Sequence, residues 1–342
     1  MPGKNSILII PLVLFILIFS LSTRMGAAQK LFKEIERIEL KLDDVVFASI
    51  SDVVSVSDGF VLIIKESRFG DTYALLKLSK SGEPICKYDK RGNGPGEIRS
   101  IDRIAVKKKS ILVAESFAPY IHEYSHNLEF IKDHRIKKGG EIILLGKFIG
   151  IWSRNFITED KKDKIYMLAL YDKDTLKFQR YAFEVKEVPD FVYTWGGMCK
   201  VDNNSYAGVY ATTYQIHLFD KNLQHEKRLI TIVPKYIKKY YPYKGDPQTF
   251  DQTSQKWMES WSKMESIDYV DNKFILGYMQ GKNSYFDIID NVGNILYSQY
   301  KVDKKWIVFT DNSHVWWLEK VEDNEDVKYF LIKSRLNLEH YK

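Results

Sequence analysis

Short apolar or alternating segments recur along most of the chain, and turn-forming residues separate them. The recurring unit is a strand, an Asp, Asn or Gly turn, a second apolar strand, and an aromatic-rich third strand that ends at Asp or Ser followed by Lys, Asn or Gly. Asn-Gly, Asp-Gly and Asp-Asn pairs tolerate the positive φ of tight hairpins, so each unit predicts a small antiparallel sheet.

Six such units can be counted, and they occupy residues 53–88, 101–131, 155–185, 198–232, 266–300 and 307–333. A small sheet of this kind cannot bury both of its faces alone, and radial repetition of such sheets produces a β-propeller. The pattern therefore predicts an all-β, six-bladed β-propeller. Because the spacing between equivalent turns is uneven, a seven-bladed ring is the alternative.

The segment 31–42, which precedes the first unit, is predicted to close the ring. Ile35, Ile38, Leu40 and Leu42 follow a largely alternating pattern in this segment. An open sheet edge exposes unpaired backbone groups, so we expect the segment to add a strand to the last blade.

Two segments interrupt the repeat. The shorter one, 134–148, carries Gly139, Gly140 and Gly146 around an apolar patch. It is predicted to be an extended connection between blades.

The larger interruption, 234–264, predicts a helical insertion in the second half of the chain. A loop rich in Lys and Tyr comes first, and Asp246 and Pro247 then suit the N-cap and the first position of a helix. Three apolar residues spaced i, i+4 and i+7 share one stripe of that helix and are expected to dock it on a blade: Trp257, Trp261 and Met264.

The most distinctive local sequence is Arg-Gly-Asn-Gly-Pro-Gly-Glu-Ile at 91–98, between two predicted strands. Its structural residues are Gly92, Gly94, Pro95 and Gly96. Proline fixes its own φ, and glycine permits the positive φ that we expect at Gly94 and Gly96. Two interpretations are open: a purely structural corner between blades, or a corner that also presents Arg91, Asn93 and Glu97 at the mouth of the channel.

This turn and the strands after it resemble an NHL repeat, in which a G-x-G-P-G-[QE]-[FI] turn precedes three strands of one propeller blade. The resemblance covers about residues 91–130, with Glu115 where the family often has Asp and Tyr120 near its usual Asn or Arg. More closely, the chain is similar to secreted bacterial six-bladed propellers of the NHL-like or TolB-like type, which carry one G-x-GPGE turn after the first blade. This resemblance implies a six-bladed propeller outside the cytoplasm and specifies no activity.

The first 28 residues predict an export signal. Lys4 precedes an unbroken apolar run over 7–21, and small residues up to Ala28 supply a cleavage site. Cleavage after Ala28 leaves residues 29–342 as a single propeller domain. The alternative is an uncleaved membrane anchor formed by 7–21, and membrane contact is expected only in that case. Both alternatives place the propeller outside the cytoplasm, either periplasmic or secreted.

Composition narrows the predicted partners. The formal net charge of +6 predicts a mild attraction to anionic envelope lipids or polysaccharides. The lysines are scattered over turns rather than clustered on one blade edge, so no nucleic-acid partner is predicted. Cys86 and Cys199 fall in different predicted blades, which lie too far apart for a disulfide.

Catalytic chemistry has little support in the sequence. The seven histidines form no H-x-H or H-E-x-x-H pair, and the chain has no G-x-S-x-G elbow. We therefore predict a non-catalytic binding or scaffolding module without a metal or a cofactor. The alternative is a channel-sited metal-dependent lyase or hydrolase.

The predicted ligand contacts lie in the insertion. Tyrosines interleaved with lysines combine a large apolar area with hydrogen-bonding tips, as many binding surfaces do. The tyrosines of this loop are Tyr236, Tyr240, Tyr241 and Tyr243. The expected partner is a protein or a glycan of the cell envelope.

Overall fold

A computed structural model describes residues 31–338 apart from 43–44, 46, 67–71, 138, 159–164, 186–195, 225, 233, 242, 245–251, 303–304, 312 and 324–325. The described residues form six four-stranded sheets. This arrangement confirms the predicted six-bladed β-propeller against the seven-bladed alternative. The predicted signal or anchor at 1–28 lies outside the described residues, and within them no helix has the length and apolar character needed to cross a membrane.

The strands are numbered along the chain, beginning with β1 (Phe32–Leu40). Blade one contains β2 (Ser49–Val56), β3 (Gly59–Lys65), β4 (Tyr73–Ser79) and β5 (Pro84–Tyr88). Blade two contains β6 (Ile101–Val106), β7 (Ser110–Glu115), β8 (Tyr120–Ser125) and β9 (Phe130–Arg135). Blade three contains β10 (Glu141–Leu145), β11 (Phe148–Thr158), β12 (Ile165–Asp172) and β13 (Phe178–Val185).

The second half of the ring repeats this plan. Blade four contains β14 (Gly196–Asp202), β15 (Ser205–Tyr210), β16 (Gln215–Asp220) and β17 (Glu226–Thr231). A helix, α1 (Gln252–Glu259), precedes blade five, which contains β18 (Ser262–Val270), β19 (Lys273–Gln280), β20 (Asn283–Asp290) and β21 (Ile295–Val302). Blade six contains β22 (Lys305–Thr310), β23 (Val315–Asp323) and β24 (Asp326–Leu336) together with β1.

Strand β1 closes the ring, as the alternating pattern of 31–42 predicts. It forms the outer edge of blade six and pairs antiparallel with β24, from Phe32 opposite Leu336 to Leu40 opposite Tyr329. Ile35 departs from the predicted alternation because the register shifts between Glu34 and Glu36, and its side chain is 50% exposed. The β-bulge turns this one apolar side chain outward.

The core is a ring of apolar clusters, each between two neighbouring blades. Ile63 of blade one packs in one cluster with Val113 of blade two. Leu62 faces the other side and packs with Leu318 of blade six. Successive strand residues point to opposite faces of a sheet, so every blade buries both faces against its neighbours. No blade can therefore bury its apolar residues alone.

The two faces of the ring differ in their loops. Tight hairpins join the first to the second strand of each blade and the third to the fourth strand of blades one to five. In one of them, Asp271 and Asn272 have the positive φ, 55° and 60°, of a type I′ turn. The opposite face carries the loops between second and third strands and the connections between blades, among them 89–100, 116–119, 211–214 and 232–261. We call these the hairpin face and the long-loop face.

The prediction that 134–148 is a connection between blades is wrong. The segment contains the end of β9, all of β10 and the turn to β11, so blade three begins at Glu141. Its glycines serve close approach and turning rather than a loop. A Cβ on Gly139 would lie 2.4 Å from the Glu115 carbonyl oxygen, and Gly146 has φ +58° in the β10–β11 turn.

The predicted insertion at 234–264 contains a helix, although its bounds differ. Helix α1 ends at Glu259, and β18 already begins at Ser262. Met264 therefore lies on a strand and not on the helical stripe predicted for it. Trp257 and Trp261 do dock together, with ring centroids 5.6 Å apart and exposures of 6% and 2%. The predicted cap at Asp246 and Pro247 lies outside the described residues.

Candidate binding site

The central channel is a cavity of about 430 Å³, and the first strand of every blade contributes to its wall. Every blade contributes polar residues to this wall, among them Asp52, Arg103, Glu141, Cys199, Asp268 and Thr310. Arg103 Nη1 lies 3.3 Å from Asp52 Oδ1, and its Nε lies 3.7 Å from Glu141 Oε2. The hydroxyl of Thr310 donates to Asp268 Oδ1 at 3.1 Å. Arg103 thus links carboxylates of blades one and three, and Thr310 links blade six to blade five.

Burial prevails for two carboxyl groups of this wall, whereas the carboxylates around Arg103 outweigh its burial and raise its pKa. Burial raises the pKa of Asp52 to about 6, although Arg103 and the backbone N–H of Ile104 both favour the carboxylate. Burial likewise raises the pKa of Asp268. Among the described residues, no three His, Cys, Asp or Glu side chains are grouped closely enough to hold a metal ion.

The glycine turn at 91–98 is held by hydrogen bonds to blades one and two. The Gly96 carbonyl accepts from the hydroxyls of Tyr88 at 3.1 Å and Tyr124 at 2.7 Å. Gly96 has the expected positive φ, +73°, whereas Gly94 does not, so that prediction is wrong for Gly94. The Glu97 carboxylate accepts the Gly94 N–H at 2.7 Å, and a Cβ on Gly94 would lie 2.9 Å from the carboxyl carbon, so a side chain there would displace this carboxylate.

A buried histidine joins this turn to blade two. His122 Nδ1 lies 2.7 Å from Asp133, and its Nε2 lies 3.3 Å from Glu115. Burial acts to lower the pKa of His122, but hydrogen bonds to Glu115 and Asp133 outweigh it and raise the pKa. Glu115 also accepts the backbone N–H groups of Arg99 and Ser100, at 2.8 and 3.0 Å. These hydrogen bonds hold the turn against blade two, and the carboxylates of Glu115 and Asp133 already have partners within the protein.

The turn residues predicted as ligand contacts do not line the channel. Arg91 forms an ion pair with Glu66 of blade one. Asn93 and Glu97 line a separate cavity of about 220 Å³ on the long-loop face, beside His122. The structure thus places this turn as a corner between blades, and ligand binding by it stays a prediction.

Tyr236 anchors the insertion to blade five. Its hydroxyl donates to the Asp287 carboxylate at 2.6 Å, where the hydroxyls of Tyr214 and Tyr278 also bond. The N–H of Gln299 donates to the same carboxylate at 2.7 Å. Asp287 is fully buried, and burial raises its pKa although these donors favour the charged form. The hydroxyl of Tyr236 therefore stabilises the fold by holding the insertion against blade five.

The other three tyrosines of the insertion pack around helix α1. The ring of Tyr240 lies 5.0 Å from that of Trp261, and the ring of Tyr243 lies 5.1 Å from that of Trp257. Trp257 Nε1 donates to the Tyr241 carbonyl at 2.9 Å. Tyr241 is the most open of them, at 47% exposure. Loop and helix thus form one aromatic unit, of which Tyr240 also borders a cavity.

That cavity has a volume of about 230 Å³ and lies on the long-loop face between blades four and five; we call it the loop cavity. Its hydroxyl and amide groups come from Thr212, Thr213, Gln215, Thr231, Tyr240 and Ser262. Ile232, Ile237 and Met264 supply apolar wall, and Lys238 and Lys239 border it. The Oγ1 atoms of Thr212 and Thr213 are buried and have no hydrogen-bond partner within the described ranges.

The two threonines of this cavity carry no distinctive signal in the sequence. They belong to the short loop between β15 and β16, where Ser and Thr are ordinary turn residues. Ala211 of that loop packs with Trp257, Met258 and Trp261 of the insertion, and the hydroxyls beside it are buried and unpaired among the described residues. The Met264 N–H donates to the Ala211 carbonyl at 3.1 Å, which fixes the loop against β18. The sequence signal that does point here is the long interruption of the repeat.

Comparisons with known proteins identify the fold. The sequence matches no protein-family model and no curated protein. Its structure is similar to that of a candidate exported protein from Bacteroides fragilis, with a TM-score of 0.64 and 13% identity over 90% of this chain and 96% of that one. A DUF4221 family member from Bacteroides vulgatus gives a TM-score of 0.65 and 13% identity over 89% and 98%.

A third similar structure is the extracellular domain of a candidate hybrid two-component system from B. thetaiotaomicron. Its TM-score is 0.51 at 9% identity, over 87% of this chain and 34% of that one. At such low identities these likenesses show the propeller fold alone.

Proposed function

We propose that this protein is an extracytoplasmic, non-catalytic propeller module that binds a partner of the cell envelope through the loop cavity. The observation that carries the proposal is the pair of buried Thr212 and Thr213 hydroxyls without a partner among the described residues. Buried polar atoms are rarely left unpaired in folded proteins, because an unmade hydrogen bond costs about 1–3 kcal/mol. Both oxygens are closed to solvent in this structure, so a ligand can remove this cost once rotation about the Cα–Cβ bonds turns the hydroxyls into the cavity that the two threonines line.

The position of the cavity supports the same function. It lies where the longest described interruption of the repeat, 232–261, meets a loop of the preceding blade. Long loops on a rigid scaffold commonly carry binding sites. The partner is an envelope protein or glycan, and no nucleic acid is proposed. The glycine turn with Arg91, Asn93 and Glu97 is the second place at which a partner could make contact.

The extracytoplasmic location rests on two independent supports. The first 28 residues have the composition of an export signal, with 7–21 as an anchor if the signal is not cleaved. The structural neighbours include a candidate exported protein and an extracellular domain. Relationship to the NHL-like or TolB-like propellers remains part of this proposal.

The proposal can be tested with a variant that removes only the two hydroxyls. Thr212→Val/Thr213→Val keeps the side-chain shape and removes two hydroxyls that are unpaired in the described part of the chain, so the variant should be at least as stable as the parent. The parent and the variant are compared on a glycan array and as bait in envelope extract, with bound proteins identified by mass spectrometry. We expect at least one ligand whose binding is lost in the double variant.

The matched control is Thr175→Val on the hairpin face, where the Thr175 hydroxyl donates to Asp172 at 2.8 Å. This control should bind like the parent. If every captured ligand binds the double variant equally well, or if neither screen yields a ligand, the loop cavity is not the binding site.

A further inference from the structure

The structure points to an acidic sugar residue as the group that occupies the loop cavity, an inference that rests on the function proposed above. Three features of the wall define this ligand: unpaired hydroxyls, an apolar floor and an excess of positive charge. The charge argues against a neutral ligand, the hydroxyls argue against a lipid tail, and the apolar floor argues against a bare inorganic anion.

The charge of the site comes from the insertion. Lys238 and Lys239 are exposed and border the cavity, and neither has a carboxylate within ion-pair distance in the described part of the chain. Lys235 and Lys244 lie on the same segment, and no Asp or Glu occurs between Glu226 and Asp246 in the sequence. Such an uncompensated positive region attracts an anionic ligand.

The hydroxyls indicate a ligand that donates and accepts hydrogen bonds at several neighbouring positions. The Oγ1 atoms of Thr212 and Thr213 are unpaired within the described ranges and closed to solvent, and rotation of these side chains turns them toward the cavity. The side chains of Ser262 and Thr231 line the same wall. A hydroxyl is both donor and acceptor, so sugar hydroxyls can pair with each of them. An aliphatic chain would leave the threonine hydroxyls unpaired, which makes a lipid tail a poor occupant.

The floor and the size favour a ring over a bare anion. Ile232, Ile237 and Met264 form the apolar floor, and the ring of Tyr240 borders it. The C–H face of a sugar ring packs on such a surface, whereas an inorganic anion makes no use of it. The volume of about 230 Å³ lies below the roughly 300 Å³ at which drug-sized pockets begin, so one ring fits while the remainder of a glycan lies outside.

The test compares three methyl glycosides that differ only at C6: methyl glucuronide, methyl glucoside 6-sulfate and methyl glucoside. Affinities are measured by ligand-observed NMR titration at low and high salt. We expect either anionic sugar to bind about tenfold more tightly than methyl glucoside, the effect of one charge-assisted hydrogen bond. Added salt should reduce this advantage. The carboxylate and sulfate probes show which anion the site prefers.

Two variants separate charge from fold. Lys238→Gln/Lys239→Gln should reduce the preference for anionic sugars to less than about twofold, since only the neutral contacts remain. The matched control is Lys108→Gln/Lys109→Gln, which removes the same charge from adjacent exposed lysines on the hairpin face and should leave binding unchanged.

The outcomes distinguish this inference from the proposed function. Equal affinities for all three sugars, lost in Thr212→Val/Thr213→Val, would overturn the acidic ligand while keeping the site. The acidic ligand would also be overturned if no sugar bound and an envelope protein were captured by the parent but not by Thr212→Val/Thr213→Val. Anionic sugars that bind the Lys238→Gln/Lys239→Gln variant as tightly as the parent would also overturn it. A complete lack of binding by sugars and envelope proteins would overturn both.

Discussion

Replacing Asp52 with Asn should remove a pH dependence of stability that originates at the channel wall. The Asp52 side chain is 2% exposed, accepts the Ile104 N–H at 2.8 Å and lies 3.3 Å from Arg103 Nη1. Burial nevertheless outweighs these contacts and raises its pKa from 3.8 to about 6. Asn keeps an oxygen for Ile104 and loses the titrating charge.

The size of the effect follows from the two pKa values. A folded-state pKa above the unfolded value stabilises the fold at low pH, and this stabilisation is lost as the pH rises through the folded pKa. With 3.8 in the unfolded chain and about 6 in the folded one, Asp52 contributes roughly 1.4 kcal/mol at pH 5 and almost nothing at pH 8. The wild type should therefore lose about 1.4 kcal/mol more than Asp52→Asn between these pH values.

Urea unfolding at pH 5, 6, 7 and 8 measures this difference, with tryptophan fluorescence and circular dichroism used together to check that one transition is observed. Asp174→Asn, at an exposed turn, controls for the loss of a surface carboxylate. Parallel stability curves for wild type and Asp52→Asn would refute the argument from burial. A difference that appears only below pH 4, with the opposite sign, would show that Arg103 outweighs burial.

The glycine turn, the histidine network and ring closure can be tested in related ways. Gly96→Ala should lower the free energy of unfolding by about 1–3 kcal/mol, because Gly96 has φ +73° and its Cβ would lie 2.5 Å from the Phe130 ring; an unchanged urea midpoint would contradict this. His122→Gln should remove a loss of stability that the wild type shows as the pH rises from below about 6.5 through the raised pKa of His122; identical pH profiles of the two proteins would argue against it. Deleting 31–42 should expose the edge of the last blade and cause association in light scattering, whereas a monomer of parental stability would disprove closure by β1.

The fold could be predicted because its signals are local. Asp-Asn and Asp-Gly turns mark hairpins, as at Asp271 and Asn272, and the apolar runs between them mark strands. Strand β10 was not predicted because Gly139, Gly140 and Gly146 flank it, and such a density of glycines is typical of a loop. Two of these glycines lie against backbone that is distant in sequence, as Gly139 lies against the Glu115 carbonyl. A local sequence pattern does not reveal such a contact.

The candidate site could be predicted only in outline. The interruption at 234–264 and its tyrosines indicate the connection that borders the loop cavity. The Tyr236 hydroxyl, however, is hydrogen-bonded to Asp287, which lies on a strand far along the sequence. The significance of Thr212 and Thr213 depends on what covers them, and so does that of Asp52 and Arg103, which different blades bring together. Which polar groups are paired or buried depends on contacts between blades, and a local sequence pattern does not reveal those contacts.

Closure by β1 also determines how the protein can be tethered. The Asn337 N–H donates to the Leu31 carbonyl at 2.8 Å, so the chain enters and leaves the ring at one point, at the outer edge of blade six. Linkers joined to these two residues therefore start from the same place on the molecule. Whether the support is a bilayer or a sensor chip, attachment through either residue anchors the ring at blade six, and fusions to both residues place their two cargoes side by side.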